Sequence, residues 1–331
     1  MTEKFAQDFS PETEDENVLE AEVPAQMNGL RLDQAAAQLF SDFSRVRLQG
    51  WIRNGNLQLE GKSARAKDKL VGGELLTLKA EVEDQDHWKA EDIPLDIIFE
   101  DEAIIVINKP VGLVVHPAAG NRSGTLLNGL LHRCPALGKI PRAGIVHRLD
   151  KDTSGLMVVA KNLSSHASLV EQLREKSVSR IYQAVAFGLV TAGGTVDAPL
   201  GRHPTHRTKR AVSQGADARE AVTHYRILDK YRSHTLVQCS LETGRTHQIR
   251  VHMAHLGYPL VGDPLYGGRP RIPKGSAPAL IEFLEKFKRQ ALHAWQLGLE
   301  HPETGESLSW QAELPEDMQQ LLTLLEQDNA V

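Results

Sequence analysis

Apolar residues along this chain recur at two periods, and the change from one to the other marks out its elements. Leu30, Leu32, Ala35, Ala36, Leu39 and Phe40 fall at helical spacing. Ser44 then opens a second helical stretch, in which Arg45, Arg47 and Arg53 alternate with Val46, Leu48, Trp51 and Ile52. Asn54-Gly55-Asn56 turns into a strand at Leu57-Gln58-Leu59, Glu60-Gly61-Lys62 turns again, and a strand over Val71 to Leu78 closes a module of two helices on a small sheet. The polar run EVEDQDHWKAE, residues 81–91, reads as a linker.

Beyond it the pattern changes to short β-branched runs separated by helical stretches. Ile104 to Asn108 is a buried-strand candidate ended by Lys109-Pro110-Val111-Gly112. Gly144-Ile145-Val146 and Leu156 to Ala160 read as two more buried strands, and further strands are expected at Arg180 to Phe187, Ala221 to Leu228 and Thr235 to Leu241. Helices are expected at Thr125 to His132, at Ser165 to Glu175 with Leu169, Val170 and Leu173 on one face, and after Pro315-Glu316-Asp317. Scattered strands with intervening helices fit an α+β domain with a mostly antiparallel mixed sheet better than a regular βαβ succession. The expected organisation is an acidic disordered tail over 1–27, a small α/β module and linker over 28–90, and a larger domain over 91–331.

Charge changes the picture only when assigned by segment. The 331 residues carry a net charge of −5, which on its face argues against a nucleic-acid partner. Residues 1–22, however, hold eight acids against Lys4, a net of −7, so the remainder is at +2. Residues 202–250 hold ten Lys and Arg against four acids, a basic footprint that includes Arg207, Lys209 and Arg210. No apolar run approaches the roughly 20 residues of a membrane span, and the first residues lack the regions of a secretory signal, so a cytoplasmic protein with no membrane association is expected. Cys134 and Cys239 stand far apart without a CxxC pair, which suggests neither a disulfide framework nor a zinc module.

The candidate chemistry lies between the two apolar runs at 144–146 and 156–160, where a polar loop presents His147, Arg148, Asp150, Lys151, Asp152, Thr153 and Ser154 at the edge of a core. HRLDKDTSGL, from His147 to Leu156, resembles the signature of the pseudouridine synthases that act on ribosomal RNA, the RluA/RsuA type. SRIYQAV at 179–185, TGRTHQIRVHMAHLGYPLVGDPLYGG at 243–268 and NKPVGLVVHP at 108–117 resemble that family's other motifs, in the same order. The likeness covers residues 28 to about 320 and is strongest to the large-subunit branch. It implies an isomerase acting on 23S ribosomal RNA or a large-subunit precursor, working as a monomer without cofactor or metal.

The resemblance also implies roles. Asp150 is the catalytic carboxylate, Arg250 the arginine that pairs with it and keeps it ionised, and Tyr182 the tyrosine that stacks on the uracil. Arg148 is the residue that enters the RNA stack where the flipped base leaves, and Leu149 reads as a packing residue. The amino-terminal module resembles the RNA-binding module shared with small-subunit ribosomal protein S-four, which implies phosphate contacts from Arg31, Arg45, Lys62 and Lys69. Pseudouridine formation needs no redox step or phosphate donor, so one carboxylate held by a cation in a dry site is chemically sufficient. Whether that carboxylate attacks carbon 1′ or removes the 2′ proton is left open.

Competing readings apply to several residues. Asp152 reads as a cap for the amides of Ser154 or Gly155. His247, His252 and His255 lie within nine residues, yet no acidic or thiol ligand stands near them, so packing or RNA contact is the better reading. Two rival classes remain: a phosphoryl-transfer enzyme using an aspartyl phosphate with Mg²⁺, and an RNA-binding assembly factor with an inert fold. Asp150, Tyr182 and Arg250 are all intact, which argues against the second.

Overall fold

A computed structural model describes residues 18–40, 45–79, 88–117, 120–206 and 208–329. The chain divides into two compact units, Met1–His87 and Trp88–Val331. In the first, β1 (Val18–Glu22), β2 (Leu57–Leu59), β3 (Lys62–Ser63) and β4 (Leu75–Lys79) form an antiparallel sheet in the order β1-β4-β2-β3. Helices α1 (Leu32–Leu39) and α2 (Arg45–Asn54) supply its core. Leu32, Ala35 and Ala36 are buried from α1 and Leu48, Trp51 and Ile52 from α2, against Leu57, Leu76 and Leu78 of the sheet. The i, i+3, i+4 spacing thus places one stripe of each helix inward.

Two expectations for this unit are revised. Residues 18–22, assigned above to the disordered tail, form a strand against β4, from Val18 opposite Lys79 to Glu22 opposite Leu75. Their alternation of apolar and acidic side chains suits an edge strand with one face covered. The closing strand starts at Leu75 rather than Val71, because Gly72 and Gly73 both take φ +89 and the Glu74 carboxylate accepts from the amides of Val71 and Gly72 in a turn. Residues 1–17 of the expected tail, and the Ser44 cap, lie outside the described residues.

The second unit is built on a nine-stranded sheet. Its strands are β5 (Asp96–Glu100), β6 (Ile104–Lys109), β7 (Ser154–Ala160), β8 (Ser179–Phe187), β9 (Gly194–Asp197), β12 (Val222–Lys230), β13 (His234–Leu241), β14 (Leu292–Glu300) and β15 (Ser307–Gln311), while β10 (Leu200–Arg202) and β11 (Arg210–Val212) form a separate hairpin. The order is β5-β6-β7-β14-β8-β13-β12-β9, with β15 on β14, and only the β7–β14 pairing is parallel. This is the α+β, antiparallel-dominated mixed sheet that the pattern predicts. Strand β7 is buried at all seven positions, as its unbroken apolar run requires of a central strand.

Helices α3 (Leu126–Arg133), α4 (Leu163–Arg174), α5 (Gln248–His255), α6 (Pro278–Lys286) and α7 (Glu316–Asn329) complete the unit. Helix α3 starts with a capping box from Thr125 and Asn128. In α4, Leu169 is fully buried but Val170 is exposed, so the buried face is narrower than expected. The residues 144–146 are not a strand. Pro141–Gly144 is a short 3-10 turn and only Ile145 bridges to Val159. Gly144 has φ +77 and lies so close to β7 that a Cβ there would fall 1.9 Å from the Ala160 carbonyl oxygen.

Candidate active site

The polar loop between Gly144 and β7 is held at both ends. His147 Nε2 accepts from the Val158 amide at 3.0 Å, which fixes a neutral ring, and burial together with Arg180 pushes its pKa down to about 3. Further on, the Asp150 carbonyl accepts from the Thr153 amide, and Gln290 donates to Thr153 Oγ1 at 2.9 Å. His293 Nε2 donates to the Ala312 carbonyl, which leaves Nδ1 to accept from Ser154 Oγ at 2.9 Å. Lys109, at the end of β6, is fully buried and donates from Nζ to the carbonyls of Pro110 (2.7 Å), Leu113 (3.0 Å) and Lys151 (3.0 Å). Burial pushes its pKa down to about 8 against the pull of Asp152 and Asp150. This ammonium ties the 109–113 turn to the residue after Asp150, a function its place at a strand end before proline does not suggest.

Asp150 projects from this loop into a cavity of about 810 Å³ that Arg148, Tyr182 and Arg250 also line. Arg250, from the first turn of α5, is 5% exposed and joins two carboxylates. It donates from Nη1 to Asp150 Oδ2 at 2.9 Å, and in bidentate fashion from Nε and Nη2 to Asp263 at 2.7 and 2.9 Å. Burial works against its charge, but Asp263 and Asp150 outweigh it and raise its pKa above the usual arginine value. Asp263 is itself buried, and its Oδ1 also accepts from the amides of Leu265 and Tyr266. The guanidinium is therefore oriented from behind by a carboxylate whose acceptors are filled, and it presents one remaining edge to Asp150.

A second support reaches Asp150 through His247, in the left-handed conformation (φ +61) just before α5. Its Nε2 lies 3.9 Å from Asp150 Oδ1, and its Nδ1 lies 2.8 Å from Tyr266 Oη, which in turn accepts from the Arg210 amide at 2.9 Å. Burial holds His247 below the usual histidine range. The segment is fastened by Gln248, whose Oε1 accepts from Thr243 and Arg245 while its Nε2 donates to Val222 and Thr223. Tyr182 stands on β8 with 7% exposure, and burial raises its pKa.

The remaining candidate residues separate. Arg148 is exposed at the cavity and Leu149 is buried in the core. Lys209 and Arg210 lie at the β10–β11 hairpin, and Arg210 meets the site only through its amide; Arg207 lies outside the described residues. Arg31, Lys62 and Lys69 are exposed on the first unit, where the guanidinium of Arg31 pairs with Asp33 at 3.0 Å. Arg45 starts α2, and its side chain lies outside the described residues. The expected Asp152 cap is not formed: its carboxylate makes no hydrogen bond among the described residues and acts on Lys109 instead. His252 is a packing residue, donating to the Ala198 carbonyl and accepting from Thr223 Oγ1. Among the described residues no group of His, Cys, Asp and Glu has the arrangement of a metal site.

Sequence reasoning missed Lys109, Arg180, His247, Asp263 and Tyr266 as parts of this cavity and its support. Asp263 lies inside the GDPLYGG segment, and the signal that could have found it is a lone acid thirteen positions after an arginine that needs a buried counter-charge.

These features are those of a site that holds one carboxylate on a buried arginine in a cleft. A family model described as RNA pseudouridylate synthase matches residues 103–255, the span that contains Asp150, Tyr182 and Arg250. The chain belongs to this family. It is 57% identical over 308 residues to the ribosomal large subunit pseudouridine synthase D of Pseudomonas aeruginosa, covering 93% of this chain and 96% of that protein. The protein of the same name from Escherichia coli K12 is 54% identical over 311 residues, covering 94% and 95%. Among solved structures, human RNA pseudouridylate synthase domain containing 4 matches with a TM-score of 0.56 at 28% identity, over 70% of this chain and 93% of that one.

Proposed function

We propose that this protein converts uridines of 23S ribosomal RNA to pseudouridine by base flipping and carboxylate catalysis. The observation that carries the reading is Asp150 held 2.9 Å from Arg250 in a cavity large enough for a nucleoside; the high identity to large-subunit pseudouridine synthases over nearly the whole chain supports the substrate. Asp150 acts on the ribose, either attacking carbon 1′ or removing the 2′ proton, and Arg250 holds its carboxylate in place while Asp263 orients Arg250. Tyr182 stacks on the uracil. Arg148, exposed at the cavity, fills the gap in the RNA stack, which offsets the few kcal/mol that extruding a base costs.

The first unit adds phosphate contacts through Arg31, Arg45, Lys62 and Lys69, and the basic segment that holds Arg207, Lys209 and Arg210 adds others. The protein works as a monomer in the cytoplasm on large-subunit ribosomal RNA or its precursor particle; no helix among the described residues is long and apolar enough to cross a membrane. Mapping pseudouridines in ribosomal RNA from cells with and without this protein tests the reading. Specific large-subunit positions should revert to uridine, and an unchanged map would refute it.

A further inference from the structure

One buried cation in the cleft has no carboxylate partner among the described residues. Arg180, two residues before Tyr182 on β8, is 7% exposed and lines the same cavity as Asp150. Of the five N–H donors of its guanidinium, one is bonded among the described residues, from Nη2 to the Glu242 carbonyl at 3.1 Å, and Nε is buried without a partner. The acid nearest to influencing it is the Tyr182 phenol, and burial holds its pKa below the usual arginine value. A buried charge lacking both a carboxylate and a full set of hydrogen bonds is costly to keep, and such groups concentrate where a ligand completes them. The chain also makes room for it: a Cβ on Gly244 would fall 2.7 Å from Arg180 Nη1.

Placement indicates what would complete it. Residues i and i+2 of a strand share a face and lie about 7 Å apart, so Arg180 and Tyr182 stand side by side facing the cavity. A base lying against the Tyr182 ring would bring a carbonyl edge toward the guanidinium. RNA phosphates stay at the mouth of such a cleft, and a group this buried meets the part of the nucleotide that enters. We propose that Arg180 is a catalytic residue that donates hydrogen bonds to the carbonyl oxygens of uracil as the base detaches from ribose. In that step the carbon 1′–nitrogen 1 bond breaks and both electrons stay on the base, delocalised onto its two carbonyl oxygens. Carbon 1′ is taken by an Asp150 oxygen, or the 2′ proton passes to Asp150 and leaves a glycal. Either course releases a uracil monoanion next to a preorganised cation, where charge stabilisation is strongest. The anion then rejoins carbon 1′ through carbon 5, expelling the Asp150 carboxylate on the first course or taking back the proton from Asp150 at carbon 2′ on the second; carbon 5 then loses its proton and nitrogen 1 gains one, so the reaction remains an isomerisation.

This inference rests on the pseudouridine synthase reading, and the test separates the two. Arg180→Met, Arg180→Lys and Gly244→Ala, each checked for folding by thermal unfolding, are compared with the parent in single-turnover tritium release from RNA labelled at uracil carbon 5, alongside RNA affinity at several salt concentrations. Methionine keeps the unbranched apolar stem of the side chain and removes a buried charge that has no carboxylate, so the fold should hold. The expected result is a rate about 100- to 1,000-fold lower for Arg180→Met, with RNA affinity and salt slope unchanged, partial recovery in Arg180→Lys, and a loss at the same step in Gly244→Ala, which crowds the guanidinium. A rate within threefold of the parent in folded Arg180→Met overturns the inference alone. So does a loss confined to affinity with the salt slope reduced by about one, the mark of a phosphate contact. A parent protein that forms no pseudouridine in this RNA overturns both.

Discussion

Arg250 serves two carboxylates, and the structure predicts that they fail differently. Asp263→Asn replaces a fully buried carboxylate, bonded to two guanidinium nitrogens and two backbone amides, with an amide whose NH₂ must face a donor. Removing one member of a buried pair costs about 3–5 kcal/mol. At about 2–4 °C per kcal/mol for a unit of this size, thermal unfolding should fall by about 6–20 °C. Asp150→Asn removes a partner that is 17% exposed and leaves the bidentate pair with Asp263 intact, so its cost should be about 1–2 kcal/mol. Activity should separate them in the opposite sense. Asp150→Asn should show no turnover, while folded Asp263→Asn, with Arg250 displaced, should retain about 1% of the parent rate. Calorimetry and pseudouridine formation on the same preparations check both. If Asp150→Asn is the less stable of the two, or Asp263→Asn unfolds with the parent, the orientation of Arg250 by Asp263 is wrong.

Other outcomes follow from the same structure. His234 and His293 are buried and pushed down to about 4, mainly by burial; below pH 6.5 the unfolded chain takes up protons that the folded one refuses, so these two alone should lower stability by about 3 kcal/mol between pH 6.5 and 5, and His147 adds to the fall in the same sense. His293→Gln should remove about one proton from that slope in denaturant titrations, and a pH-independent stability across the window would contradict the burial argument. Residues 88–331 form a compact unit, so removing 1–87 should leave cooperative unfolding within a few degrees of the parent while RNA affinity falls and its salt dependence becomes shallower; unchanged binding would remove the first unit from RNA recognition. Gly144→Ala, with φ +77 and backbone 1.9 Å from the added carbon, should cost at least about 3 kcal/mol in chemical denaturation; a neutral substitution would refute the packing of residue 144 on β7.

Five of the nine strands of the sheet are legible in the sequence because they keep unbroken or alternating β-branched runs, as at Ile104–Lys109 and Ser154–Ala160, whereas β5, β9, β14 and β15 are not expected from it. Gly144-Ile145-Val146 misleads for a physical reason: two apolar residues after a glycine look like a strand, but the positive φ of Gly144 and its contact with Ala160 turn them into a buried bend. The contact of Arg250 with Asp150, separated by one hundred positions, is legible only through motif resemblance, since no local period links them. Lys109 and Asp263 were hidden by their neighbours. A lysine before proline and an acid before proline both read as exposed turn residues, and only the tertiary fold shows that one meets three carbonyls and the other a guanidinium. The Asp152 carboxylate makes no hydrogen bond to the amides of Ser154 or Gly155 among the described residues, and its charge favours the buried Lys109 ammonium.

The central claim is that the Asp150 carboxylate performs the chemistry, and tritium release from large-subunit ribosomal RNA labelled at uracil carbon 5 tests it most directly. Asparagine keeps the volume of the side chain and the Arg250–Asp263 pair, so Asp150→Asn should fold and bind RNA with at least the parent's affinity, the site having gained positive charge. The account predicts no release above background over many parent turnovers. Multiple turnover by the folded variant at a rate near the parent's would contradict it and remove the carboxylate from the mechanism.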